Sequence, residues 1–263
     1  MEIKEYVQAR KDFIKKELLS APKAPSLSII QVGDNEASNA YIRGKLKDCA
    51  EVGFKADLIH LPVTVSQDEL LSVIAKCNND SDVDAFLVQL PLPKGISEEA
   101  VHLAIDPKKD IDGFSPLSSY ESCTPKGIID YLSDEGFPFR GANAVVIGRS
   151  QIVGKPMDKM LLQKDCNVTV LHSKTSNEDL RFYLLHADLV VVAIGKLGFI
   201  DASYRFKPSA WIVDVGINRG EDGHLHGDVV PGLPVAKQTP VPGGVGLLTR
   251  LALLTNLSEV MKK

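Results

Sequence analysis

Apolar positions along the chain switch repeatedly between helical periodicity and short continuous runs, the alternation expected of helices and buried strands. Residues 1–19, MEIKEYVQARKDFIKKELL, set Ile3, Tyr6, Val7, Phe13, Ile14 and Leu18 among many charges and read as an amphipathic helix. Strand-like runs follow at 26–32 (SLSIIQV), 56–61 and 84–90 (DAFLVQL), separated by helical patterns over 36–52 and 67–77. Such alternation predicts a largely parallel sheet. Residues 91–126, rich in Pro, Ser and Asp, read as loops that line a site rather than build core. A second series has strands at 143–148, 167–172, 188–195 and 211–216, spaced for a Rossmann-like unit.

The expected fold class is therefore α/β with two domains. Residues 1–126 form an αβ domain with a largely parallel sheet, and 127–243 form a Rossmann-like dinucleotide-binding domain. A final apolar helix within 244–263 cannot stand alone and is expected to complete the first domain, leaving a cleft between the two where ligands gather.

Composition removes several function classes. The chain has 263 residues, 44% of them hydrophobic, and a formal net charge of −4 from 30 basic and 34 acidic side chains. There is no basic block to hold nucleic acid and no apolar stretch long enough to span a membrane. Cys49, Cys77, Cys123 and Cys166 are scattered, with no C-x-x-C pair, which favours free thiols in a reducing cytoplasm and no metal site.

Candidate chemistry begins at residues 145–157, VVIGRSQIVGKPM, where a buried strand breaks at Gly148 and a helix restarts near Pro156. Gly148 and Gly154 permit close backbone approach, and the free N–H groups and dipole of the first helical turn attract phosphate. The spacing fails the P-loop pattern, because Pro156 stands where a Mg²⁺-binding hydroxyl belongs. It also departs from G-x-G-x-x-G, because Ser150 replaces the second glycine; Arg149 and Ser150 instead offer a guanidinium and a hydroxyl. The next strand ends in VLHSKT rather than in an acidic residue for a ribose hydroxyl, so Arg149, Ser173, Lys174 and Thr175 could receive a 2′-phosphate. NADP is favoured, with NAD possible.

In the 36–52 helix, Ser38, Tyr41 and Lys45 share one face while Ile42, Leu46 and Cys49 share another. One face can seat the helix while the other presents an aromatic platform and an amine; the alternative is that Lys45 is an ordinary solvated lysine. Gln89, before Pro91 and Pro93, and Asp110 and Asp112 in KKDIDGF lie near strand ends where ligands collect. A carboxylate there could accept two hydrogen bonds from an amino-heterocycle, or Asp112 could simply cap a turn with Gly113.

VGDNEASNAYIRGK, VQLPLP, KKDIDGF, CTPKGI, VVIGRSQIVGKPM, TVLHSKT, DLVVVAIGK, DVGINR and TPVPGGVG occur in this order over roughly residues 30–255. In this combination the chain resembles the bifunctional methylenetetrahydrofolate dehydrogenase/cyclohydrolase family. The resemblance implies that Tyr41 stacks on the folate, that Lys45 is the central catalytic lysine and Gln89 bonds and tunes it, that Asp112 holds the pterin edge, and that Ser38 assists near the reacting centre. It places Val88, Leu90, Pro242, Gly243, Gly244, Val245 and Gly246 along the folate, and Gly148, Arg149, Ser150, Ser173 and Ile217 along the dinucleotide. It also implies a homodimer. Two departures stand out: FSPLSSYESCT (114–124) is shorter than its family counterpart, and Leu247–Leu248 replace the common Pro-Met after GGVG.

The implied activity is oxidation of 5,10-methylenetetrahydrofolate with NADP and hydrolysis of the methenyl product to 10-formyltetrahydrofolate, a step of one-carbon metabolism. The alternatives are a dehydrogenase with little cyclohydrolase activity or an NAD preference, and a non-catalytic folate- or nucleotide-binding regulator.

Overall fold

In the computed structural model, which describes residues 1–261, the first apolar runs pair in parallel, as continuous β-branched strands covered on both faces should. Strand β1 (Ser26–Val32) lies between β2 (Lys55–Leu61) and β3 (Ala85–Val88). Helices α2 (Glu36–Val52) and α3 (Gln67–Asn79) make the crossovers. The α2 start is set by Asn35, whose side chain accepts from Ser38 N, and its end by Gly53 at φ +91°. Ser66 and Glu69 form a reciprocal capping box at the start of α3. Ile30, Val32, Leu70, Ile74, Phe86 and Val88 fill one core.

The stretch expected to be loop, 91–126, contains a helix, α4 (Glu98–Ala104), capped by Ser97, and its Val101 and Ile105 enter that same core. Seven residues are too few for a helical period to emerge among the prolines and serines around them. Tyr120 is also buried, so this segment builds core after all.

A second compact unit begins near α5 (Cys123–Asp134). It contains β4 (Asn143–Ile147), α6 (Gly154–Gln163), β5 (Asn167–Leu171), α7 (Asn177–His186), β6 (Leu189–Val192), β7 (Trp211–Asp214), the hairpin of β8 (Asn218–Arg219) and β9 (Leu225–His226), and β10 (Lys237–Gln238). The parallel order is β10-β7-β6-β4-β5. Alternate residues feed two cores: Ala144, Val146, Leu189 and Val191 face one layer, and Val145, Ile147, Val190 and Val192 the other.

Helices α1 (Ile3–Leu18) and α8 (Val245–Val260) are each divided between the units. The first unit holds Gln8–Cys123 and the chain from Arg250; the second holds Met1–Val7 and Thr124–Thr249. The division thus differs from the expected 126 and 244 by a few residues, and the first residues go with the second unit. There Tyr6 donates from its hydroxyl to Asp134 at 2.9 Å, and the terminal amine meets Glu135 at 3.0 Å. Among the described residues, no helix is long and apolar enough to cross a membrane.

Candidate active site and nucleotide turn

Helix α2 buries Ser38, Ile42, Lys45, Asp48 and Cys49 together, so Lys45 shares the inward stripe instead of lying on a solvated face. Only 3% of Lys45 is exposed, and its Nζ lies 3.3 Å from Asp112 Oδ2, itself 5% exposed. Nζ also stands 5.2 Å from the centre of the Tyr41 ring, within cation–π range. Lower on the same helix, Asp48 is clamped by Lys11 at 2.6 Å and Arg250 at 3.0 Å. Gly44 makes room for the Arg250 guanidinium, into which a β-carbon would project.

The strand ends supply the rest. Gln89 continues β3, its N–H bonded to Ile30 O at 2.8 Å, and its side-chain Nε2 donates to Leu90 O at 2.9 Å. Its Oε1 is buried without a partner, an acceptor left for a donor from outside the chain's own bonds. Ser38 Oγ donates to the same Leu90 carbonyl at 3.2 Å. The expected Gln89–Lys45 contact is therefore not made: the Gln89 amide and Ser38 converge on Leu90, while Lys45 is taken by Asp112.

The loop bearing Asp112 is fastened from several sides. Phe86 N donates to Lys109 O at 3.0 Å, joining the loop to β3. Gly113 adopts φ +67°, and a β-carbon on it would come 2.6 Å from the Glu121 carbonyl carbon, which makes glycine obligatory. Asn256 on α8 donates to Ile111 O at 3.0 Å and to Glu121 O at 3.1 Å. Asp110 accepts from Ser115 N at 2.8 Å, and Ser118 donates to the Asp110 carbonyl, so the short 114–124 segment folds back on this loop. Burial, with the Asp112 charge adding to it, pushes the Asp110 carboxyl up to about 6. Asn256 escapes sequence reading because an asparagine inside an apolar helix carries no signal of what it will reach.

In the second unit, Gly148 has φ +124°, and a β-carbon there would run into the Ala193 carbonyl; one on Gly154 would lie 2.5 Å from Gly148 O. These glycines shape a tight strand–helix turn with open backbone approach. The donors at the start of α6 are less free than expected, however. Ser150 Oγ accepts from Val153 N at 3.2 Å and Gly154 N at 3.3 Å, and Ser150 O accepts from Lys155 N at 3.0 Å, while Pro156 has no N–H. Ser150 thus occupies the donors of the turn that leads into α6, ahead of the N-cap position Val153, leaving the Arg149 side chain, the Ser150 O–H and the dipole for an anion.

Register brings the β5 turn alongside. Ile147 pairs with Leu171 and Gly148 N donates to Leu171 O at 2.9 Å, so Arg149 and Ser173 both follow the same edge of adjacent strands. Arg149, Ser150, Ser173 and Lys174 are exposed, whereas Thr175 locks the turn by accepting from His172 N at 2.9 Å. Ile217 is exposed, and a β-carbon on Gly246 would lie 3.9 Å from its Cδ1. Pro242, Gly243, Gly244, Val245 and Gly246 belong to this second unit, unlike Tyr41, Lys45, Val88, Gln89, Leu90 and Asp112. Gly243 turns with φ +92°, and α8 then starts with Leu248 fully buried against Gly127.

A buried lysine–carboxylate pair at parallel strand ends, in one chain with a doubly wound unit and its glycine-shaped turn, defines an α/β enzyme of the dinucleotide-dependent class. Residues 1–112 match the tetrahydrofolate dehydrogenase/cyclohydrolase catalytic domain and residues 122–263 its NAD(P)-binding domain. The chain belongs to the tetrahydrofolate dehydrogenase/cyclohydrolase family. A bifunctional protein FolD of Streptococcus pneumoniae serotype 4 is 48% identical over 242 residues, 88% of this chain and 84% of that protein. The bifunctional FolD methylenetetrahydrofolate dehydrogenase/cyclohydrolase of Campylobacter jejuni superposes with a TM-score of 0.94 at 38% identity, covering 99% of this chain and 97% of that one. The Trypanosoma brucei enzyme, solved with NADP cofactor and inhibitor, gives 0.92 at 30% identity, covering 100% and 96%.

Proposed function

We propose that this chain oxidises 5,10-methylenetetrahydrofolate with NADP and hydrolyses the resulting methenyl cation to 10-formyltetrahydrofolate. The observation that carries the reading is the buried Lys45–Asp112 pair beside Tyr41, with the partnerless Gln89 Oε1 at the adjacent strand end.

A bound nicotinamide would supply the acceptor for a hydride, two electrons with a proton, from the bridging methylene, chemistry no side chain supplies. The residues at the second unit's strand ends fit such a dinucleotide: glycines leave room for backbone approach, and Arg149 with Ser173 offers charge and a hydroxyl to a 2′-phosphate. Asp112 accepts hydrogen bonds from the pterin edge, Tyr41 stacks on the ring, and Ser38, Val88 and Leu90 complete the folate contacts made by the first unit. Such positioning is a large share of the catalysis of transfer between bound partners.

Hydrolysis needs proton movement. Water adds to the methenyl carbon and Lys45 removes a proton from it, giving a neutral hydroxyl adduct; the same amine then delivers that proton to the departing ring nitrogen as the carbon–nitrogen bond breaks, and the remaining hydroxyl proton passes to solvent as the formyl C=O forms. Pterin donors that engage Asp112 compete with Lys45 for the same carboxylate, which frees the amine to meet the attacking water. Gln89 adds no charge to the site, and its buried unbonded oxygen is available to accept from bound folate or from the attacking water.

The protein works in the cytoplasm as a homodimer: the four cysteines are free and buried, and Phe182 and Leu185 on α7 leave apolar surface exposed for a second copy. The deciding experiment follows methylenetetrahydrofolate oxidation spectrophotometrically with NADP and with NAD, and hydrolysis of methenyltetrahydrofolate separately. Both activities with NADP preferred is the expected result; tight ligand binding without either turnover would replace this reading with a regulator.

A further inference from the structure

Three successive backbone N–H groups past the end of β6 converge on one carboxylate. Asp228 Oδ2 accepts from Ile194 N at 2.8 Å and Gly195 N at 2.9 Å. Its Oδ1 accepts from Lys196 N at 2.7 Å and from Asn218 Nδ2 at 2.9 Å. The side chain is completely buried. Its own backbone is held in turn, because Asp228 N and Val229 N donate to the Asp214 carboxylate at 3.0 and 2.9 Å, and Asp214 also accepts from Gly216 N at 2.9 Å.

A run of consecutive N–H groups at a strand end of a doubly wound sheet is a ready anion cradle. Here the chain fills that cradle with its own carboxylate, so the cradle works as an anchor and not as a ligand site. What it anchors borders the Gly148 turn directly. Ala193 N donates to Ile147 O at 2.8 Å, and the Ala193 carbonyl occupies the space a β-carbon on Gly148 would need. Through Asn218 the same carboxylate fixes the neighbour of the exposed Ile217.

We propose that Asp228 is the positioning residue of the dinucleotide site: one buried carboxylate holds both the 193–196 segment behind the Gly148 turn and the segment that presents Ile217. The inference rests on the dinucleotide reading above and extends it to a residue that touches no ligand.

Asp228→Asn keeps the size but turns an amide NH₂ toward N–H donors, and is expected to raise the KM for NADP by about tenfold or more. Asn218→Ala, which removes one of the four bonds, is expected to raise it about threefold. Hydrolysis of preformed methenyltetrahydrofolate stays within about twofold in both, since that step needs no dinucleotide. A role in stability alone would lower the unfolding temperature without moving NADP affinity relative to kcat. A folded Asp228→Asn protein with wild-type NADPH affinity, or equal loss of both activities, overturns the proposal. Should Asp228→Asn fail to fold, Asn218→Ala decides, and an unchanged NADPH Kd in that variant sinks the idea. Wild-type protein that binds no NADPH would overturn the dinucleotide reading itself, and the positioning role with it.

Discussion

In the first unit the groups expected to do chemistry are inside: Lys45 and Asp112 are buried and paired, and Gln89 presents a buried unbonded oxygen. In the second unit the arrangement is inverted. Arg149, Ser150, Ser173 and Ile217 are exposed, while the buried carboxylates Asp214 and Asp228 spend their oxygens on backbone N–H groups. A proton-transferring amine must be shielded and poised, so its partners are side chains withdrawn from water. A dinucleotide site needs a shaped backbone, so its buried charges serve the main chain and its ligand-facing groups stay in solvent.

The contrast breaks first at Lys45. Lys45→Met, which keeps the stem and removes the amine, is expected to lower cyclohydrolase turnover by ~10²–10⁴-fold, read from the decay of methenyltetrahydrofolate absorbance. Hydrolysis at the wild-type rate would show that the buried pair is structural. Asp112→Asn should raise the KM for folate about 30-fold through loss of roughly 2 kcal/mol of charge-assisted hydrogen bonding, with NADPH affinity unchanged.

Asp110 tests the cost of burying carboxylates around that site. Its carboxyl rises from 3.8 to about 6 in the folded chain, so the native state keeps a proton that the unfolded state has released. Stability should therefore fall as pH climbs between these values, by roughly 3 kcal/mol, and level off above the folded value. Urea unfolding across that range checks it, and Asp110→Asn should flatten the profile. On the exposed side, Arg149→Ala is expected to weaken NADP about tenfold while leaving NAD within error, since only the former carries a 2′-phosphate. Ser66→Ala, in the α3 capping box, should cost ~1 kcal/mol of stability with no kinetic change.

Much of this was legible in the chain. The expected 26–32 strand and 36–52 helix coincide with β1 and α2, because continuous β-branched runs and a capped helical period are local signals. Helix α4 was not legible, being too short for periodicity to outweigh its loop-like surroundings. The face of α2 was read correctly as shared by Ser38, Tyr41 and Lys45, yet its burial beside Ile42 and Cys49 was not, since helical spacing cannot say what packs against a face. Ser150 is legible as a turn hydroxyl; that it bonds Val153 N and Gly154 N and so consumes donors expected to meet phosphate depends on turn geometry.

Element order, the parallel αβ architecture and the supply of reactive residue types are properties of the sequence by itself, because periodicity, capping and turn chemistry act over a few positions. Tertiary structure alone decided which of those residues are poised. Lys45 is paired by a carboxylate 67 positions away, the Asp112 loop is held by Asn256 from 145 positions away at Ile111, and the 193–196 segment is anchored by Asp228 from 32 to 34 positions away. The physical reason is common to all three: desolvation makes a buried polar or charged group depend on whichever partners folding delivers to it, and those partners are not its neighbours in the chain.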